Sequence, residues 1–159
     1  MEQITDNMQK YDNYRTQMGR LKKAMDQQFY LEAIFIEYAI LEDRLESVLM
    51  HSGKWNPKPN TFYSLDSKLR KVTKLAEEKS SLIRKYFPIE LTDGIEEWKK
   101  DRNQIIHALM KKSLHTEDLR RIALQGETLI KAVRNKASLY NRAIARQQAK
   151  KEKYKYLDL

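Results

Sequence analysis

Apolar residues recur at steps of three and four along most of the chain, and this spacing constrains the fold more than any other feature of the sequence. It is the period of an α-helix that buries one face. The strict alternation that marks a half-buried strand is absent, glycine and proline number four and three, and Ala, Leu, Glu, Lys and Arg dominate. The sequence therefore predicts an all-α fold, an antiparallel bundle of four to five helices with one short extra helix.

Capping and turn residues divide this pattern into helices. We expect helices over residues 3–26, 28–50, 62–78 and 93–111, a short piece over 82–87, and a last helix from Thr116 past Arg146. A break is expected near residues 26–28, and 51–60 is the clearest loop because it contains Gly53 and two prolines. Gly126 falls on the apolar face of the last helix, which predicts a close helix approach there.

The length of 159 residues predicts one domain spanning 1–159, with a basic, frayed tail from about residue 150. The absence of cysteine excludes disulfides and thiolate metal sites, and the three histidines are too scattered to predict a metal site. No cofactor is expected. No apolar run reaches the ~18 residues of a membrane span, and the acidic, polar start lacks the regions of a signal peptide. We therefore expect no membrane association and a cytoplasmic protein.

The chain carries a net charge of +9, and the excess is concentrated after Lys131. Such a charge favours phosphate backbones, so RNA is an expected partner. The candidate nucleic-acid-binding residues are Lys99 and, near the C-terminus, Arg142, Arg146, Lys150 and Lys151. The alternative is a solvated helix end that keeps the protein in solution.

Trp55 is a further candidate, because it lies in the expected loop between Lys54 and Lys58. In this setting the indole could stack on a nucleobase while the lysines bind phosphates. The alternative interpretation is that Trp55 seals one end of the bundle.

Residues 93–111 combine a strong helix pattern with side chains that a helix does not require. Asp93 is the expected N-cap. At about 100° per residue the apolar side chains share one broad face: Leu91, Ile95, Trp98, Ile105, Ile106 and Leu109. Arg102 falls in the middle of that face, and Asn103 and His107 lie at its edge, one turn apart. A guanidinium that faces a core needs an anion, because its hydration is otherwise lost.

Glu42 presents the same problem on the second helix, where it falls inside an apolar arc that includes Phe35 and Tyr38. Two opposite charges on core faces are most simply explained as partners, so we expect Glu42 to fix the Arg102 guanidinium. The alternative is that either side chain extends to solvent at a helix crossing. On the third helix, Lys68 is expected to face outward.

The order Arg102, Asn103, three residues, His107 resembles the Arg, Asn, His motif of the HEPN superfamily of helical nucleotide-binding and ribonuclease domains. The resemblance extends over residues 30–140 in pattern and over three residues in identity. It implies a HEPN-like bundle that dimerises with paired motifs in a basic groove and cleaves RNA without a metal ion. It also implies a role as a toxin or in phage defence, with an antitoxin or other regulatory partner.

Carried over by position, the resemblance implies that Arg102 holds the phosphate, His107 transfers protons and Asn103 positions one of the two. The toxin branch of the family has a tyrosine two residues after the histidine. This chain has Leu109 there, so silencing by modification of that tyrosine is not expected.

RNA cleavage by its own 2′-hydroxyl requires a base, an acid and cations at the phosphate. Histidine suits the proton transfers and arginine suits the phosphate. One chain supplies one such histidine, whereas a two-fold dimer would bring two copies of His107 and Arg102 into one cleft. The leading hypothesis is therefore a homodimeric, metal-independent endoribonuclease, with Glu42 in support.

Other hypotheses stay open. The chain could be a non-catalytic nucleic-acid-binding or scaffold bundle that uses its basic last helix, or a degenerate family member kept for dimerisation or nucleotide binding. For His107 alone, the alternative is a histidine at a helix edge that bonds to a neighbour or to water. His51 and His115 have no comparable surroundings and are expected to be surface or capping residues.

Overall fold

The computed structural model describes residues 6–155, and 80% of them are helical. They form six helices: α1 (Asn7–Asp26), α2 (Tyr30–His51), α3 (Leu65–Glu77), α4 (Leu82–Tyr86), α5 (Ile89–Ala108) and α6 (Thr116–Lys155). No strand occurs among these described residues. The structure thus confirms the expected all-α bundle, with α4 as the short extra helix.

Side-chain caps begin three of the helices. Asp6, Ser64 and Ser81 each accept a hydrogen bond from a backbone N–H in the first turn of α1, α3 and α4. Such caps satisfy N–H groups that have no partner within the helix. Because Ser64 is the cap, α3 begins at Leu65 rather than at residue 62. The expected start of the first helix at residue 3 lies outside the described residues.

The break expected near residues 26–28 is confirmed. Gln28 adopts a positive φ of 60°, an uncommon conformation for a side chain other than glycine. The next backbone N–H, that of Phe29, donates to the carbonyl of Ala24. This closes α1 in the manner of a helix C-terminus, and α2 then begins at Tyr30.

The start of α5 differs from the expectation of a cap at Asp93. The carbonyl of Pro88 accepts hydrogen bonds from the N–H groups of Leu91 and Thr92, so the helix is already formed four residues earlier. Proline suits a helix start because its fixed φ is compatible and its missing N–H would lack a partner there anyway. The helix ends at Ala108 rather than at residue 111, and His107 therefore lies in its last turn.

The last helix begins at Thr116, as expected, and continues to Lys155. Lys150 and Lys151 lie on this helix, and every residue from 145 to 155 is exposed. Fraying of this end stays a prediction. Residues 156–159 lie outside the described part of the chain. Across residues 6–155, each helix is either too short or too polar to cross a lipid bilayer.

Packing divides the chain into two units, and α2, α5 and α6 contribute residues to both. Unit 1 combines Met1–Ile40 with Trp98–Thr128. Its apolar core consists of Leu21, Ala24, Tyr30, Ala33, Ile34, Ile36, Ile40, Trp98, Ile105, Ile122 and Ala123. Trp98 joins α5 to α6 here, because its Nε1 donates to the carbonyl of Ile122 at 3.0 Å. The sequence motif lies in this unit.

Unit 2 combines Leu41–Glu97 with Leu129–Leu159. Its core consists of Leu41, Leu45, Val48, Leu49, Leu65, Leu69, Val72, Leu75, Ile83, Phe87, Ile95, Ile130, Val133, Ala137 and Tyr140. Tyr86 of α4 meets Tyr140 of α6 edge to face, with ring centroids 6.1 Å apart. Asn141 also donates to Ser47 Oγ at 3.1 Å, which connects α6 to α2. A single domain over the whole chain stays a prediction.

Candidate active site

Helix α5 places the three motif residues at different depths in unit 1. Ile105 is buried and anchors this part of the helix. Arg102 and Asn103 are half-buried, and His107 is exposed in the last turn. The motif therefore runs from the edge of the core to the surface, which is the arrangement expected if its end contacts a ligand.

The Arg102 guanidinium is held by an aromatic ring and an amide. Its Cζ lies 4.4 Å from the centroid of the Tyr38 ring on α2, a cation–π distance. Its Nη1 donates to Asn103 Oδ1 at 3.0 Å, while its buried Nε has no hydrogen-bond partner. Within residues 6–155, no carboxylate forms an ion pair with Arg102. The site thus presents a positioned cation whose charge is not neutralised by an acid.

The expected pairing of Glu42 with Arg102 is wrong. Glu42 Oε1 instead accepts a hydrogen bond from Lys68 Nζ at 2.9 Å, and Glu46 Oε2 accepts another at 2.7 Å. All three residues belong to unit 2, where they connect α2 to α3. Lys68, which was expected to face outward, has a side chain only 5% exposed. Its side chain turns inward, and its ammonium group contacts both carboxylates.

Two opposing effects act on the pKa of Lys68. Burial lowers it, whereas the hydrogen bonds from Lys68 to Glu46 and Glu42 raise it. The net result is a raised pKa, so the ammonium stays charged at neutral pH. This cluster is a structural bridge in unit 2, and Glu42 has no part in orienting Arg102.

Phe35 also departs from the sequence expectation. It was placed in the buried arc of α2, but it is 51% exposed, between the buried residues Ile34 and Ile36. Its ring centroid lies 5.5 Å from Arg102 Cζ. A large aromatic face is therefore available to solvent beside the uncompensated guanidinium.

The three histidines differ in their surroundings. His107 shares the surface of α5 with Asn103, one turn away. His51 Nδ1 lies 2.8 Å from the carbonyl of Ser47 at the end of α2, which is a capping contact. His115 is exposed just before α6. Among the three, His107 is the histidine that accompanies an arginine and an amide.

The nucleic-acid-binding candidates fall into two groups. Arg142, Arg146, Lys150 and Lys151 are exposed on α6. Lys99 is only 7% exposed, so it offers a nucleic acid far less surface than the residues on α6 do. Trp55 is half-buried and packs edge to face on Tyr63, with centroids 4.9 Å apart. This packing agrees with the alternative interpretation, in which Trp55 has a structural role.

Glu37 is a buried acid that the sequence reasoning missed. It is 0% exposed, and neither carboxyl oxygen has a hydrogen-bond partner. Burial, with a smaller contribution from the charge of Glu127, raises the pKa of Glu37 to about 9. A signal was present, since Glu37 lies three residues after Ile34 and four before Leu41 on the apolar stripe of α2.

The close approach expected at Gly126 is confirmed in unit 1. A Cβ atom on Gly126 would collide with the carboxyl group of Glu37 and would lie 2.9 Å from Trp98 Nε1. Glycine is therefore required at this point of α6 because side chains from α2 and α5 fill the space. The packing fixes the α2 face that carries Glu37 against α6.

A shallow groove of about 250 Å³ lies beside the motif in unit 1. Its polar walls include Asp101 and Arg121, whose charged groups are 3.1 Å apart, together with Gln104. This ion pair is exposed, and Lys112 and Asp118 add two further charged side chains of opposite sign to the lining. In the described residues 6–155, no group of three His, Asp or Glu side chains is placed to hold a metal ion.

Comparisons with protein-family models, with curated proteins and with solved structures find no match to this chain. The resemblance to the HEPN superfamily therefore depends on the residues of α5 alone.

Proposed function

We propose that the chain is a metal-independent endoribonuclease of HEPN type whose active site forms between two copies. The observation that carries this proposal is Arg102, a cation positioned by Tyr38 and Asn103, with no carboxylate partner among the described residues. Such a group is suited to an anion from outside the chain, and a phosphodiester is the anion that arginine binds with two parallel hydrogen bonds.

The reaction requires two proton transfers. A neutral His107 accepts the proton of the RNA 2′-hydroxyl, and the 2′-oxygen attacks the neighbouring phosphorus. The bond to the 5′-oxygen breaks, and that oxygen takes a proton from a second, protonated imidazole. The products are a 2′,3′-cyclic phosphate and a 5′-hydroxyl. Because each chain supplies one His107, the second imidazole comes from the other copy.

Arg102 stabilises the transition state in this scheme, because negative charge accumulates on the phosphoryl oxygens during the attack. Asn103 positions Arg102 through the 3.0 Å hydrogen bond that its Oδ1 accepts. Exposure of His107 in the last turn of α5 permits access to substrate and to a second copy. A role as a toxin or in phage defence, with an antitoxin, belongs to the same proposal.

Incubation of the purified chain with labelled single-stranded RNA in EDTA tests the proposal. We expect fragments that end in a cyclic phosphate from the unmodified chain and a loss of at least about 100-fold in rate from His107→Ala, because general acid–base catalysis contributes factors of that size. His115→Ala is the matched control, since it removes an equally exposed histidine. Dilution should lower the activity per chain once the dimer dissociates.

Equal cutting by His107→Ala and the unmodified chain would indicate a contaminating nuclease and would refute the assignment. Cutting that depends on an added divalent ion would refute the metal-independent mechanism. An activity per chain that stays constant while the protein becomes monomeric would refute the shared site.

A second candidate function is a non-catalytic nucleic-acid-binding or scaffold protein. The exposed, basic end of α6 supports it, because Arg146, Lys150 and Lys151 face solvent on a helix that continues to Lys155. If this second function is correct, the chain binds RNA but shows no cleavage that depends on His107. The EDTA experiment therefore separates the two candidates directly.

A further inference from the structure

Phe35 has an environment unlike that of other aromatic residues on α2. Tyr30 is buried and Tyr38 lies beneath the Arg102 guanidinium, whereas half of the Phe35 surface is open to solvent. Exposing a ring of this size loses the free energy of apolar burial. Its position beside Arg102 allows the exposed ring to contact a ligand that the guanidinium binds.

The same guanidinium contacts both rings. Arg102 Cζ is 4.4 Å from the Tyr38 centroid and 5.5 Å from the Phe35 centroid. Tyr38 therefore supports the guanidinium from within unit 1, while Phe35 stands at its solvent side. A phosphate bound by Arg102 would bring the sugar and base of its own nucleotide close to the Phe35 ring.

We propose that Phe35 is a stacking platform for an unpaired nucleobase next to the phosphate that Arg102 holds, which makes single-stranded or looped RNA the substrate. This inference rests on the proposed function. A base in a duplex is stacked on both faces and cannot lie on a protein ring, whereas an unpaired base stacks readily on phenylalanine. Phe35 is thus a specificity-determining residue and not a catalytic one.

Charge and polarity favour a nucleotide over a second copy of the chain at this ring. The polar neighbour of Phe35 at the site is the guanidinium of Arg102, which in turn donates to the amide oxygen of Asn103. A base with its phosphate satisfies both the ring and the guanidinium, whereas an apolar surface of another subunit would bury the cation without an anion.

Binding is measured with the full chain carrying His107→Ala, so that RNA is not consumed. The probe is a short single-stranded RNA that contains one 2-aminopurine, whose fluorescence falls on stacking. We expect Phe35→Leu to weaken binding about tenfold and to remove the fluorescence change, since an aliphatic side chain cannot stack. Phe35→Trp should retain both. Phe29→Leu is the matched control, because Phe29 is 56% exposed in the same unit.

With an active chain, an RNA duplex without loops should be cut at least tenfold more slowly than the same strand alone. Unchanged binding and fluorescence in Phe35→Leu would overturn the inference, as would equal cutting of duplex and single strand. Dissociation of the dimer by Phe35→Leu in sedimentation would show a subunit contact instead. These failures leave cleavage by the unmodified chain intact, whereas absence of RNA binding by that chain overturns the proposed function and this inference together.

Discussion

At Glu37 the chain places a carboxyl group where neither oxygen finds a hydrogen-bond donor. An ionised carboxylate in such a position would lose its hydration without compensation, so the protonated form is favoured. The glycine at position 126 leaves just enough room for this group between α2 and α6. Glu37 therefore packs against Gly126 in its uncharged form at neutral pH, although the sequence alone suggests an ionised acid on a helix.

The raised pKa of Glu37 predicts a stability that depends on pH. The folded-state pKa of about 9 lies above the ordinary value of 4.5, so folding takes up a proton between these values. The stabilising effect is complete below pH 4.5 and is lost as pH rises towards 9, at up to about 1.4 kcal/mol per pH unit. Glu37→Gln should reduce the decrease in unfolding free energy between pH 6 and pH 8 by about 3 kcal/mol.

Urea denaturation at a series of pH values measures this change. Glu97→Gln is the control, because Glu97 is exposed and its replacement should leave the slope with pH intact. If the curves of Glu37→Gln and the unmodified chain stay parallel between pH 6 and pH 8, Glu37 is ionised in the folded state and the prediction is wrong.

At the scale of the helices, the apolar period was sufficient to predict their number, order and approximate limits. Caps and breaks set the ends of the helices. The predicted start of α5 was wrong because Asp93 resembles an N-cap, whereas the carbonyl of Pro88 already accepts hydrogen bonds from the first turn. The sequence was a poorer guide to which charged side chains form ion pairs. Glu42 and Arg102 both fall on the apolar faces of their helices, which made them plausible partners. The actual partner of Glu42 depends on how α2 and α3 are rotated against each other, and in the structure it is Lys68.

The Lys68 cluster predicts a specific pattern of stability across variants. Lys68→Met should lower the unfolding free energy by about 3 kcal/mol, because it leaves the partly buried Glu42 and the more exposed Glu46 without their cation. Adding Glu42→Gln and Glu46→Gln to Lys68→Met should recover much of the loss, since the like charges are then removed. Chemical denaturation at neutral pH measures each step.

Lys74→Met on the exposed side of α3 is the matched control and should change stability by less than about 0.5 kcal/mol. A Lys68→Met variant as stable as this control would mean that the bridge between α2 and α3 contributes nothing. A triple variant no more stable than Lys68→Met would mean that packing of the lysine stem, not charge, is what α3 requires.

For the whole molecule, the net charge favours an anionic partner but does not indicate which surface would bind it. The net charge of +9 could have been spread evenly, and the structure instead leaves the basic end of α6 exposed from residue 145 to residue 155. The candidate active site was predictable only as a motif. That Tyr38 and Phe35 would flank Arg102 depends on the packing of α2 against α5 in unit 1, which no local pattern encodes.

The exposed end of α6 predicts a salt effect on RNA binding. Replacing Lys150, Lys151, Lys153 and Lys155 by Gln should weaken binding and flatten its dependence on salt by up to about 0.7 per lost phosphate contact. The control replaces four exposed lysines elsewhere by Gln, namely Lys10, Lys22, Lys58 and Lys74, for the same change in net charge. Fluorescence anisotropy over a salt series measures both. Identical slopes in the two variants would assign the effect to net charge and not to α6.

Residues 145–155 extend over about 16 Å at the rise of an α-helix. If two chains pair around the motif, the assembly acquires two such arms, and one RNA strand long enough to touch both would be held bivalently. Affinity would then rise steeply once the strand exceeds the separation of the arms, while the chemistry at each phosphate stays the same. The length of an RNA, before its sequence, would decide how long it remains bound.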